Sequence, residues 1–252
     1  MINEVVHIAT AMADGPAEKY FRTICGFDGA DPAKKEKING LIQAGLEVRE
    51  RIRPMIDIRA VVSSFDDARI DGTSIAAGGV RFSCSAFEQV DPDAVRRVFA
   101  FILTVGEMDL ASASLIDLFY ADAWGTAYAD AGRDLLRMEL AGSADPGSDE
   151  GSDEGRDEGR GRYISDSFGP GFYGMDLQQL EKFFVLLDAG SIGVRLTGSA
   201  CMLPLKSCAG FYIMTDRPGA LPPDGCRSCL SPGKSCSYCR AGAGKAVDEI
   251  KK

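Results

Sequence analysis

The stretch from Ser167 to Met214 constrains the fold of this chain more than any other part of its sequence. It begins with a Pro170-Gly171-Phe172 turn, continues through an amphipathic helix and ends in a β-like segment reading Leu-Lys-Ser-Cys-Ala-Gly. Proline presets one backbone angle, glycine tolerates a positive φ or a close neighbour, and an aromatic ring offers a stacking face. The turn and the Pro204–Gly210 segment are therefore candidates for backbone that approaches a ligand.

Hydrophobic periodicity predicts helices and strands in an irregular order. The expected elements are a helix over Ala33–Arg53, strands within residues 55–75, a buried strand over Arg97–Val105, a helix from near Asp109 to about Leu140, an extended piece at Tyr163–Ser165, a helix over Leu177–Asp188, and strands over Ile192–Thr197 and Ser207–Met214. This order predicts an α+β fold rather than a doubly wound parallel sheet.

Composition predicts a globular chain with its own core. The 252 residues are 45% hydrophobic and 26% charged, and the net charge is −9. An acidic protein lacks the basic surface that nucleic acids or anionic membranes require, so neither partner is expected. No apolar run approaches the roughly 20 residues that span a bilayer. The N-terminal stretch has no basic region typical of a signal peptide, and we expect a cytoplasmic protein.

An acidic, glycine-rich segment separates two parts of the chain. Residues 143–162 contain near-tandem Gly-Ser-Asp-Glu and Gly-Arg-Asp-Glu units with almost no apolar side chain. Such a segment buries too little surface to offset the entropy of ordering, so we expect a disordered loop. The predicted organisation is one domain over residues 1–220, with this loop inside it, and a cysteine-rich tail over residues 221–252.

The tail carries a candidate metal site. Cys226-x-x-Cys229 and Cys236-x-x-Cys239 place two thiol pairs in a loop rich in glycine, proline and serine. Four thiolates at this spacing suit a zinc ion or an iron–sulfur cluster; reducible disulfides and free thiols are the alternatives. The other cysteines are expected to be small buried hydrophobic residues, and they are Cys25, Cys84, Cys201 and Cys208.

Residues of common catalytic machinery are scarce. The only histidine, His7, lies in an apolar N-terminal stretch and is expected to be structural. A single histidine argues against a hydrolase triad or a zinc–histidine centre. No glycine-rich phosphate loop follows a predicted strand, so nucleotide hydrolysis is not expected.

Several short motifs occur together in the C-terminal half of the chain. In order they are Asp122-Ala-Trp-Gly-Thr-Ala127, the Pro170-Gly171-Phe172 turn, Leu196-Thr-x-Ser199, Met202-x-Pro204 and Lys206-Ser-x-x-Gly210. Together with the preceding Leu103-Thr-Val-Gly106, this series resembles the activation domain of vitamin B12-dependent methionine synthase. It resembles most closely the short free-standing relatives of that domain. The resemblance covers roughly residues 33–214 and implies a twisted, mostly antiparallel sheet flanked by helices.

The resemblance implies a specific activity. Domains of that family bind S-adenosylmethionine between a Pro-Gly-Tyr turn and a Ser-x-Ser-Gly strand, and they present its methyl group to a corrinoid held elsewhere. Reduction of the inactive cobalt(II) form is there coupled to methyl transfer. The chain would then act in trans on a corrinoid protein or a cobalamin-dependent methyltransferase. The implied cofactor-binding residues are Pro170, Gly171, Phe172, Lys206, Ser207, Gly210 and Tyr212.

Three positions depart from the family pattern. Ser167 stands where the family has an arginine, Phe172 replaces the turn tyrosine, and Gly198 replaces a glutamate. The first change removes a charge-assisted contact to the cofactor carboxylate, for which Arg162 and Arg195 are candidate replacements. Instead of binding a cofactor, Lys206 could equally be a lysine on the solvent-facing side of a strand, and Tyr212 could equally be an aromatic residue of an edge strand. Two functions follow: a reactivation component, or a non-catalytic corrinoid-protein interaction module with a decayed cofactor site.

Overall fold

The computed structural model describes residues 3–27, 35–108, 114–143 and 162–222. The helices are α1 (Thr10–Ile24), α2 (Lys35–Ile52), α3 (Leu115–Ser143) and α4 (Leu180–Leu186). The strands are β1 (Glu4–Ile8), β2 (Ile58–Phe65), β3 (Arg69–Asp71), β4 (Ser74–Ala77), β5 (Val80–Ser83), β6 (Val95–Thr104), β7 (Tyr163–Ile164), β8 (Arg195–Leu196), β9 (Met202–Leu203) and β10 (Ser207–Thr215).

A five-stranded antiparallel sheet forms the centre of the fold. Its strand order is β1-β2-β6-β10-β7, and β3-β4-β5 and β8-β9 form two smaller sheets. Side chains alternate between the two faces of a strand, and both faces are buried along β6. The predicted α+β class, with a mostly antiparallel sheet flanked by helices, is therefore confirmed.

Helices α1 and α3 cover one face of this sheet. The buried residues of α1 are Ala13, Ala17 and Phe21, which lie four residues apart on a single helical face. Phe21 stacks on Trp124 of α3 with ring centroids 4.1 Å apart, and the Trp124 indole donates to the Gly45 carbonyl of α2 at 2.8 Å. An aromatic contact and small residues thus bring the three helices together over the sheet.

The opposite face is covered by α4, the small β3-β4-β5 sheet and a 3₁₀ turn over Ala189–Ile192. Phe82 of β5, Phe183 of α4 and Phe211 of β10 pack with ring centroids 4.7 to 4.8 Å apart. This second core supports the segment that carries the predicted turn.

The sequence-based elements agree with the structure in the main strands and in α2, and differ at several ends. Helix α3 begins at Leu115, and its first-turn residues Leu115, Leu118 and Phe119 are exposed rather than part of the core. The strand predicted over Ile192–Thr197 is wrong for most of its length, because only Arg195 and Leu196 pair with β9. The helix predicted over Leu177–Asp188 begins with a 3₁₀ turn.

Some predicted burials differ from the structure, and other predictions concern residues that the structure does not describe. His7 is exposed on β1 rather than buried, and Cys201 is exposed on the hairpin between β8 and β9. Most of the acidic segment and the cysteine-rich tail lie outside the described residues, so the loop and the domain boundaries stay predictions. None of the described helices is long and apolar enough to cross a membrane.

Candidate ligand-binding site

The Pro170-Gly171-Phe172 segment forms the predicted turn and exposes its aromatic ring. Gly171 has φ +87°, a conformation that residues with a side chain rarely adopt. The Phe172 amide donates to the Gly169 carbonyl at 3.0 Å, and the Met175 amide donates to the Phe172 carbonyl at 2.9 Å. Phe172 itself is 61% exposed. The turn therefore presents an apolar face to solvent on a closed, hydrogen-bonded backbone.

Two glycines dock this turn onto β10. Phe168 and Phe211 exchange backbone hydrogen bonds of 2.9 and 2.8 Å. A Cβ atom on Gly169 would collide with the Ala209 carbonyl oxygen, and one on Gly210 would lie 2.8 Å from the Phe168 carbonyl oxygen. The structure thus brings the turn against Gly210, which the sequence analysis placed in the same site.

The turn is held from its other side by Tyr173, a residue that the sequence analysis did not single out. Tyr173 has φ +55°, and its carbonyl oxygen accepts hydrogen bonds from the Ser85 amide at 3.1 Å, the Ser85 hydroxyl at 2.6 Å and the Cys84 thiol at 3.2 Å. Local sequence carries no signal for this contact, because its partners are 88 and 89 residues away.

Lys206 is attached to helix α3. Its ammonium lies 2.7 Å from Asp122 Oδ1 and donates to the Thr126 hydroxyl at 2.9 Å, and its side chain is 19% exposed. Its aliphatic stem lies across Gly125, where a Cβ would come within 2.9 Å of the Lys206 Cγ. The structure therefore brings the Asp122–Ala127 motif into contact with the Lys206–Gly210 motif, two motifs whose contact the sequence did not show. It also pairs Lys206, one of the implied cofactor-binding residues, with a carboxylate of α3.

Ser207 joins the start of β10 to the end of β6. Its hydroxyl donates to the Pro204 carbonyl at 2.7 Å and lies 2.9 Å from the Thr104 hydroxyl, which in turn accepts from the Gly106 amide at 3.2 Å. These contacts fix the connection into β10. The Thr104-Val-Gly106 motif and Ser207 are therefore neighbours in space.

Tyr212 lies in the core on the other face of β10. It is 1% exposed, stacks on Phe101 with ring centroids 4.7 Å apart, and donates its hydroxyl to the Arg133 carbonyl of α3 at 2.7 Å. Burial raises the pKa of its phenol well above the ordinary value. Its strand lies between β6 and β7, so the edge-strand interpretation is also corrected. The structure does not bring this ring to the exposed side of the turn.

A groove of about 380 Å³ lies at the end of the sheet where β10 begins. Its lining residues are Arg59, Glu107, Gly193, Arg195, Leu203 and Pro204. Of the two arginines considered as replacements for the missing family arginine, Arg195 is in this groove. Arg162 lies just before β7 and is not among the lining residues.

A row of polar residues runs along the same end of the sheet. In register across β1, β2, β6 and β10 lie His7, Arg59, Thr104 and Ser207. Directly opposed residues of an antiparallel ladder share a face. Two residues further along, the same face carries Val61, Ile102 and Ala209 of the second core. The sheet therefore ends in a polar edge that the sequence analysis did not identify. The one signal for it in the sequence was Arg59, a charged residue within an otherwise apolar strand.

The predicted metal ligands Cys226, Cys229, Cys236 and Cys239 lie outside the described residues. In the part of the chain that the structure describes, no group of three or more His, Cys, Asp or Glu residues could hold a metal ion. The zinc or iron–sulfur site therefore stays a prediction from cysteine spacing.

Comparison with known proteins supports the fold assignment. The chain is similar to the crystal structure of the MetH reactivation domain bound to AdoHcy, with a TM-score of 0.55 and 16% sequence identity. The superposition covers 86% of this chain and 79% of that one. No protein-family profile matches the sequence, and no curated protein matches it. The likeness therefore shows a reactivation-domain fold, which agrees with the sequence resemblance.

Proposed function

We propose that this chain is a reactivation component that binds S-adenosylmethionine at the Pro170–Phe172 turn and serves a cobalamin-carrying partner in trans. The observation that carries the proposal is the docking of the turn on Gly210 through paired backbone hydrogen bonds. Support comes from the fold, which is shared with a reactivation domain whose crystal structure contains AdoHcy. The two segments that the sequence motifs implicate, the Pro170–Phe172 turn and the strand around Gly210, are adjacent in this chain.

The residues at the turn fit the aromatic part of such a ligand. The exposed Phe172 ring offers a face for an adenine base, since base–aromatic stacking needs no particular hydrogen bond. Gly171 supplies the positive φ that the turn needs to present this ring, and Leu177 packs where a side chain of Gly171 would lie. The binding site would therefore include Pro170, Gly171, Phe172 and Gly210. In this proposal Lys206 and Ser207 position the strand instead of contacting the ligand.

The chemistry proposed in trans is a reductive methylation. A one-electron donor reduces cobalt(II) of the partner's corrinoid to cobalt(I). The cobalt electron pair then forms a bond to the methyl carbon while the carbon–sulfur bond breaks, and S-adenosylhomocysteine leaves as a neutral thioether. The protein contributes mainly by holding the methyl group in position, because the sulfonium already supplies the electrophile.

A titration mapped by nuclear magnetic resonance tests ligand binding at the turn. S-adenosylhomocysteine should shift the amide signals of Gly171 and Phe172 with saturation. Phe172→Ala should weaken binding about tenfold, the magnitude expected for loss of one stacked base. Val185→Ala is the matched control, since Val185 on α4 is another well-exposed apolar residue (74%). Equal affinity of the Phe172→Ala variant and the wild type would contradict the proposed site.

A spectroscopic assay tests the action in trans. A cobalamin-dependent methyltransferase held in its cobalt(II) form is mixed with the chain, S-adenosylmethionine and a one-electron reductant. The proposal predicts conversion to the methylcobalamin spectrum, with release of one S-adenosylhomocysteine per cobalt. Omission of the chain should leave the cobalt(II) spectrum unchanged. The same unchanged spectrum in its presence would overturn the trans step.

The second candidate is a non-catalytic module that binds a corrinoid protein. The ion pair of Lys206 with Asp122 favours it, because that lysine is already neutralised, and Ser167 supplies no charge where the family has an arginine. This candidate predicts association with a cobalamin-carrying protein and no heat on titration with S-adenosylmethionine. Calorimetry with both ligands separates the two functions.

The cysteine-rich tail is proposed as a zinc or iron–sulfur site that serves the reactivation role. Support comes from the two Cys-x-x-Cys pairs alone. Metal analysis and visible absorbance of anaerobically purified protein test it. Cluster absorbance would favour electron delivery to the corrinoid, and zinc alone would favour a structural tail. The absence of both zinc and a cluster would overturn the proposed site.

A further inference from the structure

The groove at the end of the sheet carries charged groups that the turn does not use. We propose that this groove binds the zwitterionic head of a free α-amino acid, with its carboxylate on Arg59 and Arg195 and its ammonium on Glu107. The proposal does not rest on the adenosylmethionine function, because a free amino acid is sufficient as the ligand.

Arg59 is held in place at the groove wall. Its Nε atom is shielded from solvent and lies 3.0 Å from Asp57 Oδ2, although the two are not aligned as a hydrogen bond. The side chain is 28% exposed. Gly193, with φ +73°, faces the guanidinium, and a Cβ there would lie 3.9 Å from Arg59 Nη2. Arg59 is therefore ion-paired with Asp57 through Nε, and its terminal nitrogen Nη2 lies beside the backbone of Gly193.

Arg195 and Glu107 supply two further charges that are not engaged. Both are exposed, and within the described ranges neither has an ion-pair or hydrogen-bond partner. A planar guanidinium binds a carboxylate through two parallel hydrogen bonds, which gives strong and directional recognition. A carboxylate such as Glu107 is the matching acceptor for an ammonium group.

The balance of charge selects a zwitterion over a dianion. Arg59 and Arg195 are opposed by Glu107 and by Asp57, so the formal charges of these four side chains cancel, and His7 is the register neighbour of Arg59 on β1. A phosphate dianion would be repelled by both carboxylates at close range. A zwitterionic ligand, with one charge of each sign, finds an oppositely charged side chain for each of its two charges.

The remaining lining residues leave a small groove whose open surface is mostly polar. Leu203 and Pro204 line the groove and are half-buried, and Gly193 adds no side chain to fill it. A volume of about 380 Å³ is at the small end of ligand-binding pockets. The Thr104 and Ser207 hydroxyls stand beside Arg59 in the same row of the sheet. The site therefore suits the head group of a free amino acid, and leucine serves as a simple probe of it.

Three probes separate the contributions of the two charges. Titration of the whole chain with L-leucine, followed by nuclear magnetic resonance, should show saturable shifts at Gly193 and Arg195 with a dissociation constant on the order of 1 mM. Leucinamide, which lacks the carboxylate, and 4-methylpentanoate, which lacks the ammonium, should each bind about tenfold more weakly. Equal binding of 4-methylpentanoate and leucine would overturn the zwitterion site, as would no saturation at about 50 mM leucine.

Matched variants test the residues. Arg195→Gln and Glu107→Gln should each weaken leucine binding about tenfold. Glu107→Gln should not weaken binding of 4-methylpentanoate, because the substitution removes a charge that repels its carboxylate. Arg69→Gln is the control, because its exposed guanidinium bonds only to nearby backbone carbonyls away from the groove. Phe172→Ala should not change leucine binding, which keeps this test separate from the adenosylmethionine function. Unchanged affinity in both groove variants would overturn the assignment.

Discussion

Gly169 and Gly210 face each other where the exposed turn meets strand β10. A Cβ on either residue would strike backbone of the opposite segment, and the Phe168–Phe211 hydrogen bonds close the contact on the next residues. Backbone cannot move aside as easily as a flexible side chain. The position of the turn on the sheet therefore depends on the absence of two side chains.

Substitution of Gly210 tests this dependence. Gly210→Ala should lower the free energy of unfolding by about 1–3 kcal/mol, because the added methyl group overpacks a contact with backbone on one side and the Phe101 ring on the other. The matched control is Gly198→Ala, since a Cβ at that exposed position meets nothing within 4 Å. Urea unfolding, followed through the fluorescence of the single tryptophan, measures both. Equal stability of the two variants would contradict the docking geometry.

A half-buried carboxylate, Asp14, links α1 to the core and predicts pH dependence. Asp14 accepts hydrogen bonds from Tyr128 at 2.7 Å and from Arg53 at 2.8 and 3.0 Å. Burial acts to raise its pKa, but the hydrogen bonds from Arg53 and Tyr128 outweigh burial, and the pKa is lowered overall. The stabilisation is therefore complete above the ordinary value near pH 4 and is lost as pH falls through the lower folded value.

Asp14→Asn measures this contribution. The variant should be less stable than the wild type by about 1–3 kcal/mol at pH 7, and the difference should shrink below about pH 4. Asp66→Asn is the control, because Asp66 is 66% exposed in its ion pair with Arg97, and such pairs contribute less than about 1 kcal/mol. A difference for Asp14→Asn that grows in acid would refute the assigned direction of the pKa shift.

The scattered cysteines should differ in reactivity. Burial raises the pKa of the Cys208 thiol to about 11, and it also raises the pKa of Cys84. Cys201 is exposed. Alkylation of native protein at pH 8 with peptide mapping should label Cys201 and spare Cys84 and Cys208, and all three should react in urea. Labelling of native Cys208 as fast as Cys201 would show that β10 is not packed as described.

The fold was predictable for those helices and strands whose apolar pattern reflects burial of one face or of both faces. The buried strand β6 and the amphipathic α2 follow from their apolar pattern. Helix α1 was not identified, because Gly15 and Pro16 interrupt it and only its packing on α3 compensates. At the start of α3, apolar residues follow the helical period although they are exposed in the described structure, so periodicity alone does not show which of them are buried.

The site was predictable in its backbone and not in its charges. Glycine and proline mark the turn and Gly210 directly in the sequence, since few other residues meet those backbone requirements. The partners of Lys206 and Arg59 are set by register and by packing of distant segments. The anchoring of Tyr173 is likewise invisible in its local sequence. The surroundings of the side chains therefore needed the structure, and the burial of Tyr212 against Phe101 is one example.

Calorimetric titration of the wild-type chain with S-adenosylhomocysteine tests the central claim most directly. The account predicts a saturable heat with one site per chain, reduced about tenfold in affinity by Phe172→Ala and unchanged by Val185→Ala. No heat at millimolar ligand, with the chain folded as judged by its tryptophan fluorescence, would contradict cofactor binding at the turn.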